Sequence, residues 1–427
     1  MSIEKLFNRN FSLMVIGQII SLFGNSILRF SLSLYVLHAT GSAAVFGTIL
    51  ALSMIPTVLL SPIGGILADR VNRRNIMVAL DFTTAGIIAV FTILFGFSDS
   101  LILIGAVMIL LAVIQSCYQP SVQSSIPVLA TDENLERANG IVVQVNALAT
   151  LAGPIIAGFL YGFFGITPIL IISGICFFLS AVMELFLKIP FTKREKTGSF
   201  IASAAGDLKT AFRFLSKDNP SVFKLLFIIA GLNLFLSAMI TVGLPYIVNV
   251  FLQLDSQFYG FAEGALAVGM ILGGLMSGIL AKKVRFNRAY IFLIVSILFV
   301  FPVGFAVLGS SMPFVSYGII LFSIVACMTC SSIFNVFAMT FAQRMTPTHL
   351  LGKVSSFVTV ISICALPLGQ ALYGGLFELF KNHLSVVVFF ACVMGLVIAF
   401  ATRRVLRQLP HSSREPEAAP QTEQAGA

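Results

Sequence analysis

Charge is scarce in this chain. Asp, Glu, Lys and Arg together make up 10% of 427 residues, while 58% are hydrophobic. A soluble domain carries about 25% charged residues, so most of this surface faces something other than water. Histidine is rarer still: His38, His349, His383 and His411 all lie in loops, at helix ends or in the tail, which excludes an imidazole relay across a membrane. No G-x-x-x-x-G-K-[ST] loop is present, so ATP does not drive the protein directly. No span carries a cluster of His, Cys and acids or a Ser/His/Asp arrangement, so the chain does not read as an enzyme. The six cysteines all sit inside apolar runs, and no disulfide is implied. Cys327-Met-Thr-Cys330 has no second pair and no nearby histidine, which leaves small-residue packing rather than a metal site.

What is present is a series of apolar runs of about 20 residues, the length that crosses ~30 Å of hydrocarbon. They fall at 11–37, 45–67, 75–97, 101–118, 140–163 and 167–187, then at 222–250, 258–280, 289–308, 314–338, 354–377 and 385–401. Mixed aliphatic runs of this length are helices, since barrel strands alternate over ~10 residues. The expectation is an all-α polytopic membrane protein with twelve transmembrane helices in two pseudo-symmetric six-helix bundles. The bundles would cover 1–187 and 221–405, joined by a cytoplasmic linker at 188–220 and followed by a Pro-, Glu- and Ala-rich disordered tail at 406–427. Within the linker, "GDLKTAFRFLSKD" (206–218) spaces Leu208, Ala211, Phe212 and Leu215 as an amphipathic helix on the inner membrane surface.

The basic residues set the orientation. With both termini in the cytoplasm, Arg29 falls inside a span, Lys381 in an outer loop, and the other 24 Lys and Arg on the cytoplasmic side. Topology and attraction to anionic lipid account for the formal charge of +9 without nucleic acid.

The halves repeat each other. "FGTILALSMIPTVLLSPIGGILADRV" (46–71) lies over "YGFAEGALAVGMILGGLMSGILAKKV" (259–284) at a constant offset of 213, with Gly47 over Gly260 and Gly65-Ile66-Leu67-Ala68 over Gly278-Ile279-Leu280-Ala281. Parallel repeats with a site between them are a known transporter plan. "GGILADRVNRR" resembles the loop signature of the major facilitator superfamily, with Gly65, Asp69, Arg70, Arg73 and Arg74 at matching positions. Asn72 replaces the usual glycine and is read as a residue at positive φ. "ALATLAGPIIAG" (147–158) is similar to the antiporter motif of that superfamily at Gly153, Pro154 and Gly158, where Pro154 would bend the fifth span. "TPTHLLGKVSS" (346–356) and "RRNIMVALD" (73–81) are similar to stretches of macrolide-efflux and enterobactin-exporter proteins. The arginine of many drug–proton antiporters is missing from the fourth span, "MILLAVIQSCYQPSVQ", so a relay built on it cannot be carried over.

Candidate site residues follow from stripes within the spans. Ser21, Asn25, Arg29 and Ser33 recur every four positions, with Gln18 near the same line. Arg29 either looks into a cavity or snorkels to the outer headgroups. Gln115, Tyr118 and Gln119 mark the fourth span, Asn233, Ser237 and Thr241 the seventh, and Asn335 the tenth. The superfamily resemblance implies that spans 1, 4, 7 and 10 line a central cavity. The gate would comprise Gly65, Asp69, Arg70, Asn72, Arg73 and Arg74 with Lys282, Lys283, Gly352 and Lys353, the arginines otherwise merely anchoring the loop. Proton carriers are sought among Asp81, Glu184 and Glu263. The alternative for Asp81 is to brace the arginines of the gate, for Glu184 to pair with Lys188 one turn on, and for Glu263 to be solvated.

The resemblance implies a secondary active exporter of hydrophobic or amphiphilic, macrolide-like molecules in the cell membrane. It would work by proton antiport as a monomer with no cofactor beyond the proton motive force, partnered by a small-molecule substrate, protons and lipid. The alternatives are an exporter of siderophores or other metabolites, and a sensor or lipid-handling protein that does not pump.

Overall fold

The computed structural model describes residues 8–97, 100–131, 134–190, 206, 209–280, 283–284, 286–308, 312–347 and 350–407. Among these residues it is helical throughout, with no strand and with twelve helices long and apolar enough to cross a membrane. The first six are α1 (Arg9–Thr40), α2 (Ala43–Arg70), α3 (Arg73–Phe95), α4 (Leu101–Leu129), α5 (Leu135–Phe164) and α6 (Ile166–Leu185). The second six are α7 (Pro220–Phe251), α8 (Ser256–Leu280), α9 (Tyr290–Ala306), α10 (Pro313–Arg344), α11 (Leu351–Leu379) and α12 (Leu384–Arg407).

Short polar caps separate long apolar runs. Asn8 accepts from the Phe11 amide at 2.9 Å to open α1, and Gly41, at φ 59°, closes it in the left-handed conformation that only glycine adopts cheaply. Ser42 then caps α2 by accepting from Val45 N. Asn72 is not at positive φ as its place in the motif suggested. It sits at φ −59° and caps α3 by accepting from Arg74 N at 3.0 Å, a task an Asn side chain performs and glycine cannot.

Two spans depart from the sequence expectation. Helix α4 continues past 118 to Leu129, through Pro120 and Pro127. Pro120 has no N–H for the carbonyl of Ser116 one turn back. Gly64 of α2 lies against that carbonyl so tightly that a Cβ would come 2.1 Å from it, so the proline frees an oxygen and the glycine lets a neighbouring helix cover it. Helix α7 is interrupted by π turns at Asn233–Ser237 and Tyr246–Phe251, the second directly after Pro245.

The packing of the second six helices reproduces that of the first six. Helices α1–α5, α1–α6, α2–α4, α3–α4 and α3–α6 pack together, and so do α7–α11, α7–α12, α8–α10, α9–α10 and α9–α12. Two seams join the sets, α2 against α11 and α5 against α8. Buried apolar side chains run across them: Ile27, Phe30, Phe46 and Ala157 share one core with Leu236, Val242 and Phe377. Leu59, Ile93, Leu275 and Leu298 point outward, each more than half exposed, as lipid-facing side chains must be.

The described part of the linker helix packs on protein. Residues 209–213 are helical and Phe214–Asp218 forms a π turn, with Ala211 and Leu215 fully buried and the Phe212 ring against Phe223 and Phe357. Its apolar face is satisfied by the second six helices. Leu208, most of the linker and residues 408–427 of the tail lie outside the described residues.

Candidate functional site

A polar cavity of about 430 Å³ lies where α1, α4, α5 and α8 meet. Asn25, Ser26 and Arg29 reach it from α1, Gln115 and Gln119 from α4, and Asn146 and Thr150 from α5, with Glu263 alone from the second six helices among the described residues. Several hydroxyls and amides are partly occupied by backbone: Ser26 donates to Ala149 O at 3.2 Å, Asn146 to Val142 O at 2.8 Å and Thr150 to Asn146 O at 2.8 Å. Glu263 Oε1 accepts from Tyr259 Oη at 2.9 Å, and the Tyr259 ring stacks on Phe30 with centroids 4.7 Å apart. Arg29 thus faces a cavity rather than the outer headgroups.

The other expected cavity residues go elsewhere. The amide of Asn233 donates to Ser362 O at 3.2 Å, inside its own bundle. Asn233–Ser237 forms a π turn, so the four-residue stripe drawn through Ser237 and Thr241 does not keep one face, and Thr241 donates to Ser237 O. Asn335 is exposed. Helices α7 and α10 therefore contribute nothing to this cavity among the described residues, and α5 and α8 take the places that resemblance gave them.

Tyr118 belongs to a second, enclosed cluster within the first six helices, and Gln18 is buried away from the cavity. Ser21 of α1 donates to Asp81 Oδ1 of α3 at 3.2 Å, and Tyr118 of α4 donates to Glu184 Oε1 of α6 at 2.8 Å. Ser180, beside Asp81, donates to Gly17 O at 3.0 Å, and Gly17 itself leaves room for the Glu184 side chain. Asp81 is 2% exposed, and Gln18 and Glu184 are fully buried. Asp81 Oδ2, Glu184 Oε2 and both polar atoms of Gln18 have no hydrogen-bond partner among the described residues. Neither local explanation survives: Asp81 bonds Ser21 rather than the gate arginines, and Glu184 turns inward to Tyr118 while Lys188 is exposed. Glu263, read as solvated, is instead partly buried against Tyr259.

The α2–α3 loop makes several bonds within its own bundle. Arg73 Nε donates to Ala68 O at 3.2 Å, and Arg74 donates to Leu185 O of α6 and to Asn75. Arg70 and Lys283 are exposed, and Lys353 is half-buried at the start of α11. Gly65 meets open space, so the tight glycine here is its neighbour Gly64. Lys282, and at Asp69 and Gly352 everything beyond the helical backbone, lie outside the described residues.

The fifth-helix motif acts in packing. Helix α5 runs unbroken through Pro154. A Cβ at Gly153 would fall 2.1 Å from Ser26 Oγ of α1, and one at Gly158 2.9 Å from Ser256 O and 3.0 Å from Gly260 Cα of α8. The reciprocal contact is as tight, since a Cβ at Gly260 would sit 2.9 Å from Pro154 O. The other seam has the same construction: a Cβ at Gly47 would lie 2.5 Å from Gln370 O, and one at Gly374 2.9 Å from Ala43 O. Beside it Ser42 Oγ donates to Glu378 Oε2 at 2.6 Å. Sequence reasoning missed Glu378, Tyr259, Gly64 and Gly374. Gly47 and Gly260 were visible through the repeat, and Gly153 and Gly158 through the fifth-span motif.

Paired six-helix sets with a polar cavity between them define a membrane transporter of the two-bundle type. The Major Facilitator Superfamily pattern matches residues 14–369, and the chain belongs to that family. It is 24% identical over 400 residues to macrolide efflux protein A of Streptococcus pyogenes, covering 90% of this chain and 92% of that one. It is 26% identical over 354 residues to the enterobactin exporter EntS of Salmonella typhimurium, covering 82% of each. Among solved structures, a bacterial homologue of the iron transporter ferroportin in an inward-facing state superposes with a TM-score of 0.72 at 18% identity, over 95% of this chain and all of that one. The nucleoside transporter NupG gives 0.67 at 16% identity, over 95% and 100%. The chain is a multi-pass membrane transporter, not an enzyme, with efflux-type relatives.

Proposed function

We propose that this chain is a secondary active exporter of hydrophobic or amphiphilic, macrolide-like molecules, driven by proton antiport through alternating access in the cell membrane. The observation that carries the reading is the pair of separated sites: a polar cavity between the halves and, apart from it, the enclosed Asp81–Glu184 cluster. Substrate and proton then have different addresses on α1, and the helix that bears Ser21 toward one and Arg29 toward the other links them. With both termini cytoplasmic, the glycine seams lie at the outer ends of their helices, so this form opens inward. The loop around Asp69, Arg70, Arg73 and Arg74, with Lys353, would close the cytoplasmic mouth in the other half of the cycle. Asp81 and Glu184 are the proton carriers in this scheme, which leaves Glu263 to the cavity. One proton crossing 100 mV supplies about 2.3 kcal/mol, enough to sustain roughly a 50-fold gradient of a neutral substrate.

The second reading, export of a siderophore-like metabolite, is favoured by Arg29 in the cavity wall, which suits an anionic or strongly accepting ligand. Energised inside-out vesicles decide between them. Accumulation of a fluorescent macrolide that collapses with a protonophore and is lost in Arg29→Ala supports the first reading. Accumulation of a catecholate siderophore but no macrolide supports the second. Uptake indifferent to protonophore sinks proton antiport.

A further inference from the structure

Among the described residues, Glu263 is the only one that the second six helices place in the cavity wall, which it shares with Arg29 of the first six. Its Oε1 is held by Tyr259, and Oε2 takes no side-chain bond among the described residues. An acid from one six-helix set and a base from the other, lining one cavity with several amides, form a surface that distinguishes ligands by the placement of charge as well as by size. Resting on the transport reading above, we propose that Glu263 recognises a cationic head while Arg29 recognises an acceptor or anion, so the preferred ligand is an amphiphile carrying a basic nitrogen at a distance from an oxygen-rich or acidic group.

The position of Glu263 gives that recognition a consequence. Tyr259, which holds the carboxylate, also lies face to face on Phe30, the residue after Arg29. Gly260, the next residue in α8, is where that helix touches Gly158 of α5. A cation bound at the unbonded Oε2 draws charge from the carboxylate and weakens the bond that Oε1 accepts from Tyr259, so the Tyr259 ring is held less firmly against Phe30. Occupancy by a cation therefore loosens the α5–α8 seam from inside the cavity. A neutral ligand of the same shape fills the space and leaves the seam as it was.

The test uses the full chain in lipid nanodiscs and equilibrium binding of three probes: a macrolide with a dimethylamino group, its neutral N-oxide, and tetraphenylphosphonium, whose charge does not titrate. The wild type is expected to prefer the amine over the N-oxide by about ten- to a hundredfold, the scale of one charge-assisted contact. Glu263→Gln should erase the preference and the phosphonium binding while leaving the N-oxide unchanged. Glu263→Asp, which keeps the charge on a shorter stem, should retain part of the preference and shows whether loss in the Gln variant comes from charge or from misfolding. Tyr259→Phe should tighten phosphonium binding severalfold, because the carboxylate charge is then no longer shared with a hydroxyl donor. Equal discrimination by wild type and Glu263→Gln overturns the assignment, as does absence of phosphonium binding in the wild type. Phosphonium binding that needs Glu263, with no macrolide bound in either form, would sink the macrolide reading and leave this assignment standing.

Discussion

The α2–α11 and α5–α8 seams occupy equivalent places in the two halves and are closed by different chemistry. Each is built on a pair of glycines that lets two backbones touch, Gly47 with Gly374 and Gly158 with Gly260. Gly47 and Gly260 are also the repeat partners at offset 213, so the two halves meet through the same inherited contact used twice. Beside the first pair, Ser42 both caps α2 and donates to Glu378, placing a carboxylate at the positive end of α2. Beside the second, Phe30 stacks on Tyr259 and Phe159 packs edge-on to Phe261 at 5.2 Å. Only the aromatic seam borders the cavity. Backbone approach is what the fold requires at both places. Side-chain chemistry is free to diverge, and it has made one seam a polar latch remote from the ligand and the other an aromatic contact within its reach.

The largest effect is expected from filling a glycine contact. Gly47→Val and Gly158→Val each drive carbon into backbone atoms that cannot yield as a flexible side chain would, and overpacking of this kind costs about 1–3 kcal/mol. In the proposed cycle that cost falls only on the form closed at these seams, so either variant should remain in the membrane while vesicle uptake drops by roughly ten- to a hundredfold. Normal uptake with either valine would mean that the seams do not hold the two halves in this form. A second large effect separates the seams from proton coupling. Glu184→Gln keeps an oxygen for Tyr118 and removes the titrating group, so uphill accumulation should disappear while probe binding and downhill exchange persist. Retained uphill accumulation would clear Glu184 of the proton.

The twelve spans, their order and the doubling of the chain were legible in the sequence because hydrophobic length and a repeated glycine pattern are local signals. The end of α4 was not, since Pro120 and Pro127 read as stops unless one knows that Gly64 brings α2 onto the carbonyl that Pro120 frees. Asn25, Arg29, Gln115 and Gln119 were found because α-helical periodicity holds where they lie. It failed for Asn233 and Ser237, where a π turn rotates the face and α11 takes the amide. The bond from Ser21 of α1 to Asp81 of α3 and that from Tyr118 of α4 to Glu184 of α6 each join different helices, and no spacing in one helix could announce them. The seam chemistry was invisible for the same reason: Ser42 and Glu378 are 336 residues apart.

The smallest expected effect discriminates most finely between the seams. Interhelical hydrogen bonds within membranes average about 0.6 kcal/mol. Ser42→Ala removes the bond to Glu378 together with the cap that Ser42 provides to α2, whereas Glu378→Gln keeps an acceptor for Ser42 and removes only the charge at the helix end. If the latch works through the hydrogen bond, Ser42→Ala should shift the balance between the two forms by roughly threefold and Glu378→Gln by less. If it works through charge against the α2 dipole, the order reverses. Electron-spin distances between labels on the α1–α2 and α11–α12 turns read that balance directly. In both cases the cationic macrolide should still be preferred over its N-oxide, because Glu263 borders the other seam. A latch mutation that erased that preference would show that the seams are not independent and that the cavity senses both.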